Sequence, residues 1–160
     1  MKKLLLILLF PLTLFSQEKY TSTVYGELNA GVAFLDGLDG LPFPGCSALL
    51  GTTMNYRGFL VDIEGGAALP TIWTAKLGIG AQVKQHQITA GIRPYPMHFY
   101  LQNAATDKKW GSFLISIEIG AEALGNFNSF ESLGMITFGW RFTLATYTVY
   151  SGSSITKIIK

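Results

Sequence analysis

The chain has 160 residues, with 12 Lys and Arg against 10 Asp and Glu, one Cys, and 14% charged beside 49% hydrophobic residues. A soluble domain is usually about 25% charged, so this one is poor in the groups that keep a surface hydrated. Near-balanced charge excludes a nucleic-acid surface, which needs a clustered basic excess, and a lone Cys46 excludes an intramolecular disulfide.

Met1, Lys2 and Lys3 precede an apolar run over residues 4–15 that is interrupted by Pro11 and Thr13. A positive start and a short greasy core make a secretory signal peptide. The run is too short for a spanning helix, which takes about 20 apolar residues. Cleavage after Ser16 leaves a mature chain from Gln17, with no Cys at the junction to carry lipid. Without Lys2 and Lys3 its 10 cations match its 10 acids. Residues 17–160 suit one domain, with no linker and no repeat to divide them.

Strict alternation of apolar and polar residues marks extended strands whose two faces meet different surroundings. Strand one covers residues 25–34, with Leu28, Ala30, Val32 and Phe34 opposed to Glu27, Asn29 and Gly31. Residues 36–45 read as a long loop that cannot continue a ladder, because each Pro lacks a donor and each Gly loosens the backbone. Cys46 then reads as a small apolar residue at a strand start. Strand two follows over residues 47–56, and Arg57-Gly58 turns into strand three, where Phe59, Val61 and Ile63 oppose Asp62 and Glu64. After residues 69–71, strand four alternates Trp73, Ala75, Leu77, Ile79, Ala81 and Val83 with Thr74, Lys76, Gly78, Gly80 and Gln82.

Residues 84–86 turn the chain into strand five, residues 87–93, which carries Thr89, Gly91 and Arg93 on its polar face. Residues 97–102 extend that strand or form a separate one; the pattern fits both. Residues 104–110 read as a polar loop, so that residues 95–110 form a protruding hairpin. The cleanest strand is residues 112–123. Phe113, Ile115, Ile117, Ile119, Ala121 and Ala123 line one face, Ser116, Glu118, Gly120 and Glu122 the other, and Leu114 is the exception. Residues 125–129 turn into strand seven, with Ile136, Phe138, Trp140 and Phe142 against Thr137, Gly139 and Arg141. The eighth strand falls within residues 143–150, about 144–150, and a short tail follows. The longest connections, residues 36–45 and 94–110, then fall at one end.

This pattern resembles the small eight-stranded outer-membrane barrels of Gram-negative bacteria, of the OmpA and OmpX type. The resemblance covers most of residues 20–150 and is one of pattern, not motif. It implies an all-β fold: an antiparallel up-and-down transmembrane β-barrel of eight strands, apolar outside and polar inside. It also implies that Glu27, Asp62, Glu64, Lys76, Arg93, Glu118, Glu122 and Arg141 form a buried charge network. Such barrels usually close on a terminal aromatic residue, whereas this chain ends in Lys160. Aromatic bands are expected at both rims: Phe34, Trp73, Trp110, Phe113 and Trp140 at the loop end, and Tyr56, Phe59, Phe127 and Phe130 at the turn end.

The expected function is non-enzymatic: an outer-membrane barrel with a plugged interior, in contact with outer-membrane lipid and acting through its outer loops in adhesion or membrane integrity. Phe99, Tyr100, Lys108, Lys109 and Trp110 are the candidate interaction residues for an extracellular ligand. One alternative is a secreted or periplasmic soluble barrel with its greasy face inward around an apolar ligand. The other is a hydrolase like the lipid A deacylases, which use an outward His, a Ser two residues on and a distant Glu as a nucleophile triad. His98 is the single candidate base, at the rim of the hairpin, and Tyr100 stands where the Ser should be. His86 sits in a turn with no partner at a useful spacing. Two His, one Cys and scattered carboxylates give no zinc-ligand spacing, and no cofactor is expected.

Overall fold

The computed structural model describes residues 20–35, 42–69, 71–95, 97–107, 111–120, 132–150 and 153–158; residues 35, 107, 132, 133, 149, 150 and 153–158 are described by backbone alone. Alternation along each strand, broken by tight turns, folds the chain into an antiparallel meander. Its strands are β1 (Tyr20–Leu35), β2 (Pro42–Tyr56), β3 (Phe59–Leu69), β4 (Ile72–Val83), β5 (His86–Tyr95), β6 (Met97–Asp107), β7 (Gly111–Gly120), β8 (Ser132–Tyr150) and β9 (Ser153–Ile158). Each strand pairs with the next, and β8 also pairs with β1. That last ladder runs from Tyr20↔Val149 to Leu35↔Ser132 and closes the first eight strands into a barrel, leaving β9 folded back on β8.

The two faces differ sharply in what they present. Outward Leu77 and Ile117 are 43% and 53% exposed, while inward Lys76 and Glu118 are each 1% exposed. A soluble protein normally hides the first kind and shows the second. On β7 every even residue from Ser112 to Gly120 is buried and every odd residue from Phe113 to Ile119 exposed. Leu114 obeys the geometry and not the chemistry: it points inward and is fully buried.

Several sequence expectations change. Residues 42–45 are not loop, because Pro42, Phe43, Pro44 and Gly45 pair with Phe34, Ala33, Val32 and Gly31. Proline is tolerated in a ladder near a strand's first residue. Cys46 is therefore inside β2, and it is exposed. Residues 97–102 belong to a separate strand, β6, paired with both β5 and β7. Residues 104–107 continue it, so the protruding hairpin over residues 95–110 dissolves into the wall. Residues 132–150 form one strand where two are expected; a register shift between Val24 and Tyr25 absorbs the irregularity near Thr143. The total stays at eight because one strand is gained and one lost. The tail after residue 150 adds the ninth strand outside the barrel.

With these strands, residues 36–41 and 121–131 are the longest connections, and both join an odd strand to an even one. They share the long-connection end. The connections at the other end are short: Arg57-Gly58, Lys84-Gln85 and residues 108–110. Arg57 and Gly58 have φ of 52° and 90°, the left-handed pair that a two-residue hairpin needs to match strand twist. Phe113 and Trp140, 6.4 Å apart, lie toward the short-turn end and not at the loop end as expected. At the long-connection end Trp73 stacks on Tyr95 at 5.1 Å. Trp110, Phe127 and Phe130 lie outside the described residues.

Candidate functional site in the barrel interior

The polar face of each strand converges on the barrel axis, and seven of the eight expected network residues are brought together there. Arg141, on β8, donates from Nε and Nη2 to Glu27 Oε2 on β1 at 3.0 and 2.8 Å. The same Nη2 reaches Asp62 Oδ2 at 3.2 Å and Glu64 Oε2 at 3.6 Å, both on β3. Lys76, on β4, sits 3.6 Å from Glu64 Oε1 and 3.2 Å from Glu118 Oε1 on β7. Arg93, on β5, completes the line with a 2.7 Å bond to the same Glu118 oxygen. Glu122 lies outside the described residues.

Among the described residues four buried carboxylates thus share three cations, so no pair stands alone. An unpaired buried charge costs several kcal/mol, and sharing is the geometric answer. Asn29 donates to Glu27 Oε1 at 2.8 Å, and Thr53 donates to Asp62 Oδ1. Tyr25 donates from its hydroxyl to Asp62 Oδ1 at 2.8 Å, while its ring lies under the Arg141 guanidinium, 3.7 Å from centroid to Cζ. Gln102 Oε1 accepts from Lys76 at 3.3 Å, and the Tyr100 ring lies 5.2 Å from the same ammonium.

Tyr25, Thr53, His98, Tyr100 and Gln102 were not assigned to the interior from the sequence. Parity would have placed Tyr25, two residues before Glu27. For His98, Tyr100 and Gln102 the obstacle was the flanking prolines, which hid β6. His98 is 1% exposed and inward, not an interfacial side chain at a rim. His98 is therefore not on the outer face, where that triad would need its base. Tyr100 is buried as well, while Phe99 faces outward. Lys108, Lys109 and Trp110 lie outside the described residues, in a connection at the short-turn end. Phe99 and Tyr100 therefore do not share one surface. His86, exposed at the start of β5, has Asn103 Oδ1 within 3.3 Å of Nδ1.

Interior aromatic rings are seated on glycine. Gly51 pairs with Tyr25 across β1 and β2, and a Cβ on Gly51 would stand 2.5 Å from the tyrosine hydroxyl. A Cβ on Gly78 would stand 2.2 Å from the Tyr100 hydroxyl. Gly51→Ala should therefore cost about 1–3 kcal/mol by overpacking, whereas Gly65→Ala, whose nearest neighbour would be 3.6 Å away, should cost less. Urea unfolding of the two variants under identical conditions checks this, and equal losses would contradict the seating of Tyr25.

A recess of about 60 Å³ opens among Gly31, Ala33, Gly45, Ser47, Ala68 and Arg93, toward the long-connection end. Sites for drug-sized ligands take about 300–1,000 Å³, so the recess is too small for one. Among the described residues no group of three His, Cys, Asp or Glu side chains is placed to hold a metal ion.

What the fold and interior define is a class: a closed eight-stranded up-and-down antiparallel barrel with charged side chains buried inside and apolar side chains exposed on the outer wall. No protein-family model matches the chain, and neither the curated proteins nor the solved structures provide a match.

Proposed function

We propose that this chain spans the outer membrane of a Gram-negative bacterium as a non-enzymatic, non-conducting barrel of the OmpA and OmpX type. Its work is done at the long-connection end, in adhesion or interaction, and in bracing the membrane. One observation carries the reading: the polarity is inverted, with large apolar side chains exposed all round the wall and charges buried within. In water such a wall would be an aggregation surface; in hydrocarbon it is the expected lining. A soluble carrier of an apolar ligand needs the opposite arrangement.

Closure supports the same reading, because a spanning sheet has to satisfy its edge hydrogen bonds internally and the β1–β8 ladder does so. An interior eight strands wide is just filled by side chains, and here those side chains are cross-linked by charge from β1 to β8. Wild-type protein in a planar bilayer should give no reproducible conductance steps, and stable steps would overturn the plugged interior. Electrophoresis of detergent-extracted outer membranes, unheated against boiled, tests barrel and compartment together. A mobility shift on boiling supports the proposal; absence from that fraction, or no shift, would sink it.

A further inference from the structure

Among the described residues, the three interior cations are not equally supplied with acid. Arg141 lies against three carboxylates, Glu27, Asp62 and Glu64. Arg93 reaches only Glu118, at Oε1, and that same oxygen lies 3.2 Å from Lys76, which also reaches Glu64. Positive charge is therefore left over on the Arg93 side of the network.

Arg93 carries a second mark. It is 5% exposed, yet among the described residues its Nε has no hydrogen-bond partner, and a buried donor on a charged group is costly to leave unpaired. Arg93 also lines the recess of about 60 Å³ that opens toward the long-connection end. Ser47 lines the same recess, and its Oγ accepts from Asn29 Nδ2 at 3.2 Å, which leaves the serine O–H to donate. Ala33, Ala68 and Met135 supply apolar surface beside these two donors.

We propose that this recess binds the carboxylate of a short-chain organic acid, with Arg93 Nε on one oxygen, Ser47 on the other, and the alkyl chain against Ala33, Ala68 and Met135. The bound charge offsets the excess on Arg93. At about 10–15 Å³ for each water-sized group, the recess admits an acid of about two to four carbons. A hydrogen bond between charged partners is about twice as strong as a neutral one, so the anion and not its amide is held. A halide meets Arg93 alone: it offers no second oxygen to Ser47 and no chain to the apolar wall. The site is interior and does not depend on what covers the outer wall.

The test titrates the full folded chain, nitrogen-labelled, with butyrate and reads the Arg93 Nε–H resonance, which Arg93→Lys identifies by deleting it. Wild-type protein should show a saturable shift with butyrate and none with neutral butyramide, and chloride should bind about tenfold more weakly or worse. Saturation transfer to the butyrate methyl group measures affinity in the variants. Arg93→Lys keeps a charge beside Glu118 but lacks the Nε donor, and should weaken binding about tenfold or more, the worth of one hydrogen bond to a charged group. Ala33→Leu fills the recess without touching a charged group and should weaken it as much; Ala68→Leu fills it from β3 and serves if Ala33→Leu does not fold. No saturable shift with butyrate would overturn the site, as would an equal response to butyramide or a response to chloride alone. Unchanged affinity in the filled variant would overturn its placement in the recess.

Discussion

Replacing Arg141 with Ala should lower the free energy of unfolding by about 3–5 kcal/mol, the cost of removing one partner from a buried ion pair. The guanidinium touches Glu27, Asp62 and Glu64 and covers the Tyr25 ring. Its loss strands three carboxylates with Lys76 as their nearest remaining cation, and Lys76 reaches only Glu64 among them. Equilibrium urea unfolding in lipid vesicles measures the effect. A loss under about 1 kcal/mol would mean that the network is worth no more than an exposed pair. A companion double variant, Arg141→Met with Glu27→Leu, should recover part of the loss, since replacing both members of a buried pair by apolar groups is often close to neutral. In a planar bilayer Arg141→Ala should also leak where wild type does not.

The second large effect is expected on the other face of the wall. Ile117 is 53% exposed in the middle of β7, with Leu101 and Ile136 as its cross-strand partners. If that face meets hydrocarbon, Ile117→Lys should cost about 2–4 kcal/mol near the bilayer midplane and sharply lower the folded yield. Ser116→Lys, one residue away and inward, places its ammonium beside Glu118, whose carboxylate lies 3.5 Å from the serine hydroxyl. Its cost should be smaller and set by packing. Equal tolerance at both sites, or loss at Ser116 alone, would mean that water and not lipid covers the outer wall.

Much of this interior was legible because a period of two leaves little freedom: once Glu118 and Ile117 lie on opposite faces of a strand, every neighbour follows. Lys76 and Arg93 were placed by that rule alone. What failed were the ends of strands. Pro42 and Pro44 look like ladder breakers, yet they sit at the start of β2, opposite Phe34 and Val32. Pro94 pairs with Met97 in a hairpin too tight to show in composition, which hid β6 and with it His98, Tyr100 and Gln102. The run through Thr143 carries no turn residue to mark or exclude a boundary, and the chain makes a register shift there within one strand. Glycine roles were hidden for another reason. Gly51 and Gly78 make room for the rings of Tyr25 and Tyr100, and that depends on cross-strand register, which a single sequence does not display.

A spanning barrel requires its outer wall to meet lipid. The most direct measurement is the collision rate of a nitroxide at Ile117→Cys, in a Cys46→Ala background folded into vesicles, with oxygen and with a water-soluble nickel chelate. Oxygen concentrates in hydrocarbon and the chelate stays in water, so oxygen collisions should be frequent at a lipid-facing site and nickel collisions almost absent. Frequent collisions with nickel at this site would contradict the spanning reading.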